Sequence, residues 1–215
     1  MKTTLSIFIL LFTYIFGNAQ TVTDIDGNVY QTIKIGTQVW MKENLKTTKF
    51  NNGEKIQNVI KNSKWDSFTS PGYCWYDNDR AACGIAYGAL NNWYAASDSN
   101  LCPIGWHVPS TDDWQTLYNY LDIKEAACKL KETGTGLWNC TDTIEGTNES
   151  GFTALPAGFR NYDGKFYGLG KSAGWWSATE YDEYIAICIQ LFCNAMIDEI
   201  EDYKVRGHSV RCIKD

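Results

Sequence analysis

Nothing in the chain approaches the roughly 20 consecutive apolar residues that a membrane-spanning helix needs. The longest apolar run, Leu5 to Phe16, has twelve residues. No basic run occurs anywhere, and 19 Lys and Arg stand against 25 Asp and Glu, for a net charge of −6. Binding to a nucleic acid requires a positive surface that displaces counterions, so nucleic acid is excluded as the natural partner. No C-x-x-C pair is present, which argues against a zinc ribbon. His107 has no second histidine near it in sequence, and a lone imidazole is weak ground for catalysis. No linker-like or low-complexity stretch divides the chain, and no repeat of about 20 to 50 residues is visible.

What is present begins with an export signature. Lys2 gives a positive start, Leu5 to Phe16 an apolar run, and Gly17-Asn18-Ala19 small residues before Gln20. The reading is a signal peptide over residues 1–19 and one domain over 20–215. Cleavage would leave 18 basic against 25 acidic residues. No cysteine follows the run to carry a lipid, the first being Cys74, so the expectation is no membrane insertion after cleavage. The expected address is the periplasm, the cell surface or the medium, and an acidic exported protein suits neutral partners such as glycans or other proteins. Nine Trp and thirteen Tyr are mostly core. A few exposed ones would form a sugar-stacking surface, which counts alone do not identify.

Local patterning gives the elements. In "DIDGNVYQTIKIGTQVWMKENL", Ile33 and Ile35 alternate ahead of Gly36-Thr37 and Val39-Trp40, predicting a β-hairpin. Tyr87, Leu90 and Tyr94 fall at i, i+3 and i+7, predicting a helix. In "CPIGWHVPSTDDW", Trp106 and Val108 alternate around a solvent-facing His107. Pro109 then favours extended geometry before it, and Ser110 with Asp113 forms a capping box. Trp114, Leu117, Tyr118 and Leu121 continue at 0, +3, +4 and +7, so Ser110 should cap a helix starting at Thr111. Trp114 should be buried against the closing strand that carries Cys212. Asn161 to Gly164 reads as a turn, and "GWWSATE" and "YIAICIQLF" as strands. Helices in the first half and strands in the second point to an α+β fold.

Several of these pieces, "YGALNNWYAA", "CPIGWHVPSTDDW", "KLKETG", "ESGFTALPAGFRNYDGKF", "WWSATEYD" and "SVRCIKD" among them, resemble the Fibrobacter succinogenes major paralogous (FISUMP) domain of exported bacterial proteins. They stand in family order across nearly all of residues 24–215. The resemblance implies a C-type-lectin-like fold with two principal helices and short, mostly antiparallel strands, distantly similar to formylglycine-generating enzymes. It implies no settled activity. Eight cysteines in an exported chain point to disulfides, with 105 pairings open. The family's recurring cysteines match Cys102 and Cys212, and the other six stay unassigned.

Three constellations carry candidate chemistry. Cys188 and Cys193 stand five apart, similar to the copper-binding pair with which formylglycine-generating enzymes oxidise a thiol. Their odd spacing, however, turns them to opposite faces of a regular strand. Gly170 to Gly174 matches G-x-S-x-G, with Ser172, Asp182 and His208 in hydrolase order. That elbow must open a helix, and Trp175-Trp176 instead reads as a strand. Asp77, Asn78 and Asp79 gather oxygen ligands suited to calcium, without the E-P-N or W-N-D signatures of calcium-dependent lectins. The expectation is an exported, non-catalytic binding or structural module for a glycan or protein. A copper-dependent thiol oxidase using Cys188 and Cys193 is the alternative.

Overall fold

A computed structural model describes residues 20–134, 136–141 and 144–215; the expected signal peptide, 1–19, lies outside them. The fold is α+β, with three mainly antiparallel sheets. The first sheet runs β1 (Thr21–Thr23), β2 (Val29–Ile35), β3 (Gln38–Met41), β13 (Ile213–Lys214), β7 (Trp106–His107). The second runs β12 (Ile197–Tyr203), β11 (Ile185–Phe192), β10 (Ser172–Glu180), β8 (Ala157–Arg160), β9 (Phe166–Leu169). A small third sheet joins β4 (Gln57–Asn58), β5 (Gly72–Cys74) and β6 (Leu90–Asn91). Only β8–β10 and β4–β5 pair in parallel. The helices are α1 (Asn62–Trp65), α2 (Ile85–Tyr87), α3 (Trp93–Ala96), α4 (Thr111–Leu121) and α5 (Ala126–Leu130).

The N-terminal hairpin forms as its pattern predicts. Ile35 faces Gln38 across the turn, and Gly36 there has φ of 59°, a left-handed value glycine adopts without a Cβ clash.

The junction at residues 106–121 also follows its sequence. Asp113 N–H donates to Ser110 Oγ at 3.2 Å, and Ser110 N–H donates back to Asp113 Oδ2 at 2.9 Å. Two backbone donors at the start of the helix are thereby satisfied. Trp114, Leu117, Tyr118 and Leu121 are all buried on the inner face of α4. Ser110→Ala removes one half of this exchange and is expected to cost about 1 kcal/mol. A urea midpoint indistinguishable from that of the unmodified protein would refute the capping role.

The expected helix over Tyr87 to Tyr94 is not formed, and α4 is the single helix longer than five residues among those described. Gly88 takes φ of 81° and ends α2. Leu90 then pairs with Cys74 in β6, and Asn92 caps the separate α3 by accepting from Ala95 N–H at 3.1 Å. Sheet pairing and a capping asparagine override the helical stripe. The expectation of two principal helices is therefore corrected to one.

Strand β11 separates two of the three buried clusters. Ala186 and Cys188 face one, with Trp93, Trp106, Trp176, Val210 and Cys212. Ile189 and Leu191 face the other, with Trp40, Trp114, Phe152, Trp175 and Ile213. Trp114 is fully buried as expected, but its ring neighbours are Trp40 at 4.8 Å, Trp175 at 5.8 Å, Phe152 at 6.0 Å and Tyr118 at 6.1 Å. Of the closing segment, Ile213 shares its cluster, whereas Cys212 belongs to the other.

Candidate functional site

Two turns distant in sequence are laid side by side by one backbone bridge. Arg160 N–H donates to Gly207 O at 2.9 Å, and Gly207 N–H donates to Arg160 O at 2.8 Å. The bridge sets the turn after β8, Asn161 to Gly164, against the turn after β12, Tyr203 to Arg206. Gly164 is required in the first: it has φ of 80°, and a Cβ would meet the Asn62 backbone at 2.6 Å.

Each turn presents a tyrosine. Tyr162 is 45% exposed and Tyr203 51%, and their rings meet at 6.0 Å with planes 75° apart. With Val205 they line a hollow of about 300 Å³. The aromatic surface continues inward, since the Arg206 guanidinium lies over Tyr162 at 5.6 Å and over Phe159 at 5.8 Å. Phe159 in turn packs on the exposed Tyr167 at 5.9 Å.

Beneath this ledge is a buried charge network. Asp202, on β12, accepts from Arg206 Nη1 at 2.8 Å and bonds His208 Nε2 at 2.8 Å. Burial pushes the Asp202 carboxyl upward, but the hydrogen bond and charge of His208 and the charge of Arg206 outweigh it. The group titrates below its ordinary value. His208 is fully buried, stacked on Phe159 at 5.8 Å and edge-on to Trp176 at 4.8 Å. Asp202 therefore fixes Arg206, and Arg206 braces two of the rings. Asn161 Oδ1 and Arg206 Nε, one on each turn, are buried without a hydrogen-bond partner.

The residues singled out in the sequence are disposed otherwise. Ser172 opens strand β10 and no helix, so the G-x-S-x-G elbow is absent. Asp182 accepts from Tyr184 and Ile185 N–H at 2.7 Å, while His208 takes Asp202. The hydrolase order thus assembles no triad. Cys193 is bonded to Cys140. Cys188 is a fully buried free thiol in the other cluster, pushed well up by burial, so the two do not form a shared ligand pair.

Cys102 and Cys212 are bridged, with Cα atoms 6.0 Å apart, as the family pattern implies. Asp77 and Asn78 adopt left-handed φ values of 52° and 58° in a 3-10 turn. Asp79 spends its carboxylate capping the following π-helical turn, accepting from Ala82 N–H at 2.9 Å. Among the described residues, no three His, Cys, Asp or Glu side chains gather to hold a metal. His107 is half-exposed on β7, its Nδ1 2.6 Å from Asp215 Oδ1.

Tyr162, Tyr203, Asp202 and Arg206 carry no sequence motif. The one local signal is a tyrosine inside the N-Y-D-G turn, where an aromatic must project outward.

With this geometry in hand, comparison places the chain in a class: residues 33–214 match the Fibrobacter succinogenes major domain. The chain belongs to that family. No curated protein and no solved structure matches it. The two disulfides are of the kind that persists outside the reducing cytoplasm, and no described helix is long and apolar enough to cross a membrane.

Proposed function

We propose that this protein is an exported, non-catalytic binding module that recognises carbohydrate on the Tyr162–Tyr203 ledge. The carrying observation is the pair of half-exposed tyrosines held open at 75° by turns that a buried ion network stiffens. Tyrosine offers apolar area at low entropic cost together with a polar tip. Rings left exposed and fixed on a soluble protein mark an interaction surface. The uncharged character of the hollow favours a glycan over a nucleic acid or a basic peptide.

The α+β architecture, the N-terminal hairpin joined to the closing strand and the Cys102–Cys212 bridge support a C-type-lectin-like fold. Binding would then be independent of calcium, because the hollow is lined by Tyr162, Tyr203 and Val205 and by no carboxylate. Disulfide bonding supports a working place in the periplasm, at the cell surface or in the medium.

Glycan-array screening followed by calorimetry is the test. Tyr203→Ala is expected to raise the Kd about 10- to 30-fold, roughly 1.4–2 kcal/mol, with the unfolding midpoint unchanged because the ring is half-exposed. A blank array combined with a protein captured through the same two tyrosines would replace the carbohydrate reading with a protein ligand.

A further inference from the structure

The ledge also constrains which carbohydrate fits, an inference that rests on the carbohydrate reading above. A flat polysaccharide face needs coplanar rings, because each successive sugar must meet another aromatic plane at the same height. Tyr162 and Tyr203 are 75° apart, so a planar polymer surface that lies on one ring is blocked by the other. A single pyranose suits the angle: its apolar face covers one ring and its edge meets the second. The hollow, at about 300 Å³, sits at the lower limit of ordinary ligand pockets, which limits occupancy to a short stretch of sugar.

Charge narrows the choice again. Arg206 is committed to Asp202 at 2.8 Å, and buried Lys204 to Glu180. Both cations on the turn after β12 thus have a carboxylate. A uronic acid or sulfated sugar would lose hydration of its anion without finding a free positive partner on that turn.

We infer that the ledge binds a single neutral pyranose unit, free or at the end of a soluble oligosaccharide, and rejects both insoluble polysaccharide faces and acidic glycans.

The experiment uses the protein spanning residues 20–215, alongside its Tyr162→Ala and Tyr203→Ala variants. Gluco-, xylo- and manno-oligosaccharides of one to six units are titrated by calorimetry, with oligogalacturonides as the acidic series. Crystalline cellulose, insoluble xylan and insoluble mannan are used in depletion assays. For the neutral series that binds, the Kd is expected to change by less than about threefold beyond two units, with both variants weakened. Neither oligogalacturonides nor insoluble polymers should bind in a tyrosine-dependent manner.

An affinity that keeps rising through five or six units, tyrosine-dependent retention on an insoluble polymer, or preferred binding of oligogalacturonides overturns the inference while leaving carbohydrate recognition standing. No tyrosine-dependent binding in any series, with a blank glycan array, removes carbohydrate recognition and the inference together.

Discussion

Replacing Cys102 and Cys212 together by alanine is expected to lower the unfolding free energy by about 4–5 kcal/mol. The bridge spans 110 residues, and closing so long a loop removes much of the freedom of the unfolded chain. It also ties the segment ahead of α4 to the closing strand, and both sulfurs are buried in the same core cluster. The Cys140–Cys193 bridge spans 53 residues. Loop entropy grows only with the logarithm of length, so its loss should be smaller by only about 0.6 kcal/mol. Urea unfolding of the two double variants measures both quantities. A loss below about 1 kcal/mol for the longer bridge would mean that the unfolded chain is already constrained, and would refute the loop-closure account.

Trp114→Ala is expected to cost about 3–5 kcal/mol. The indole has no exposed surface, and four aromatic neighbours surround it: Trp40, Phe152, Trp175 and Tyr118. These come from β3, the segment before β8, β10 and α4, so the ring joins both large sheets to the only long helix described. The rigid fused neighbours cannot collapse into the space, and a large cavity persists. Trp114 lies in a different cluster from Trp176, the ring on which His208 packs beneath the ledge, so carbohydrate binding by the folded fraction should be unaltered. Calorimetry beside denaturant unfolding separates the two roles. Full stability with lost binding would make Trp114 part of a site and overturn its structural role.

What could be read from the sequence was local. The hairpin at Gly36, the Ser110–Asp113 box and strands β10 and β11 each follow from spacing within a dozen residues. The failures share a non-local cause. The stripe Tyr87, Leu90, Tyr94 has helical spacing, yet β5 recruits Leu90, and nothing in those eight residues announces a strand 16 positions earlier. His208 had a carboxylate in plausible order at Asp182 and a true partner at Asp202, a choice made by the path of β12.

Arg160 and Arg211 are charged yet fully buried. Backbone carbonyls and the side chains of Asn62 and Asn44 take up their donors: Asn44 Oδ1 accepts from Arg211 Nη2 at 2.9 Å, and Val59, Ile60 and Gly164 carbonyls accept from Arg160. The candidate site was hidden for the same reason. Tyr162 and Tyr203 become neighbours only through the Arg160–Gly207 bridge, and composition could say no more than that some aromatics must be exposed.

The position of β13 has a consequence for how the chain reaches this state. It lies between β3 and β7, with Ile213 opposite both Trp40 and His107, so the first sheet is completed from its middle by residues more than 170 positions beyond its hairpin. Such a topology has a high contact order, and its folding is slow relative to proteins built from local contacts. Until residues 213–214 arrive, β3 and β7 each present an open edge, the kind of surface on which strands from other copies assemble. The interval between synthesis and insertion of that strand is the period of greatest exposure to aggregation, and the Cys102–Cys212 bond, adjacent to β13, closes it covalently.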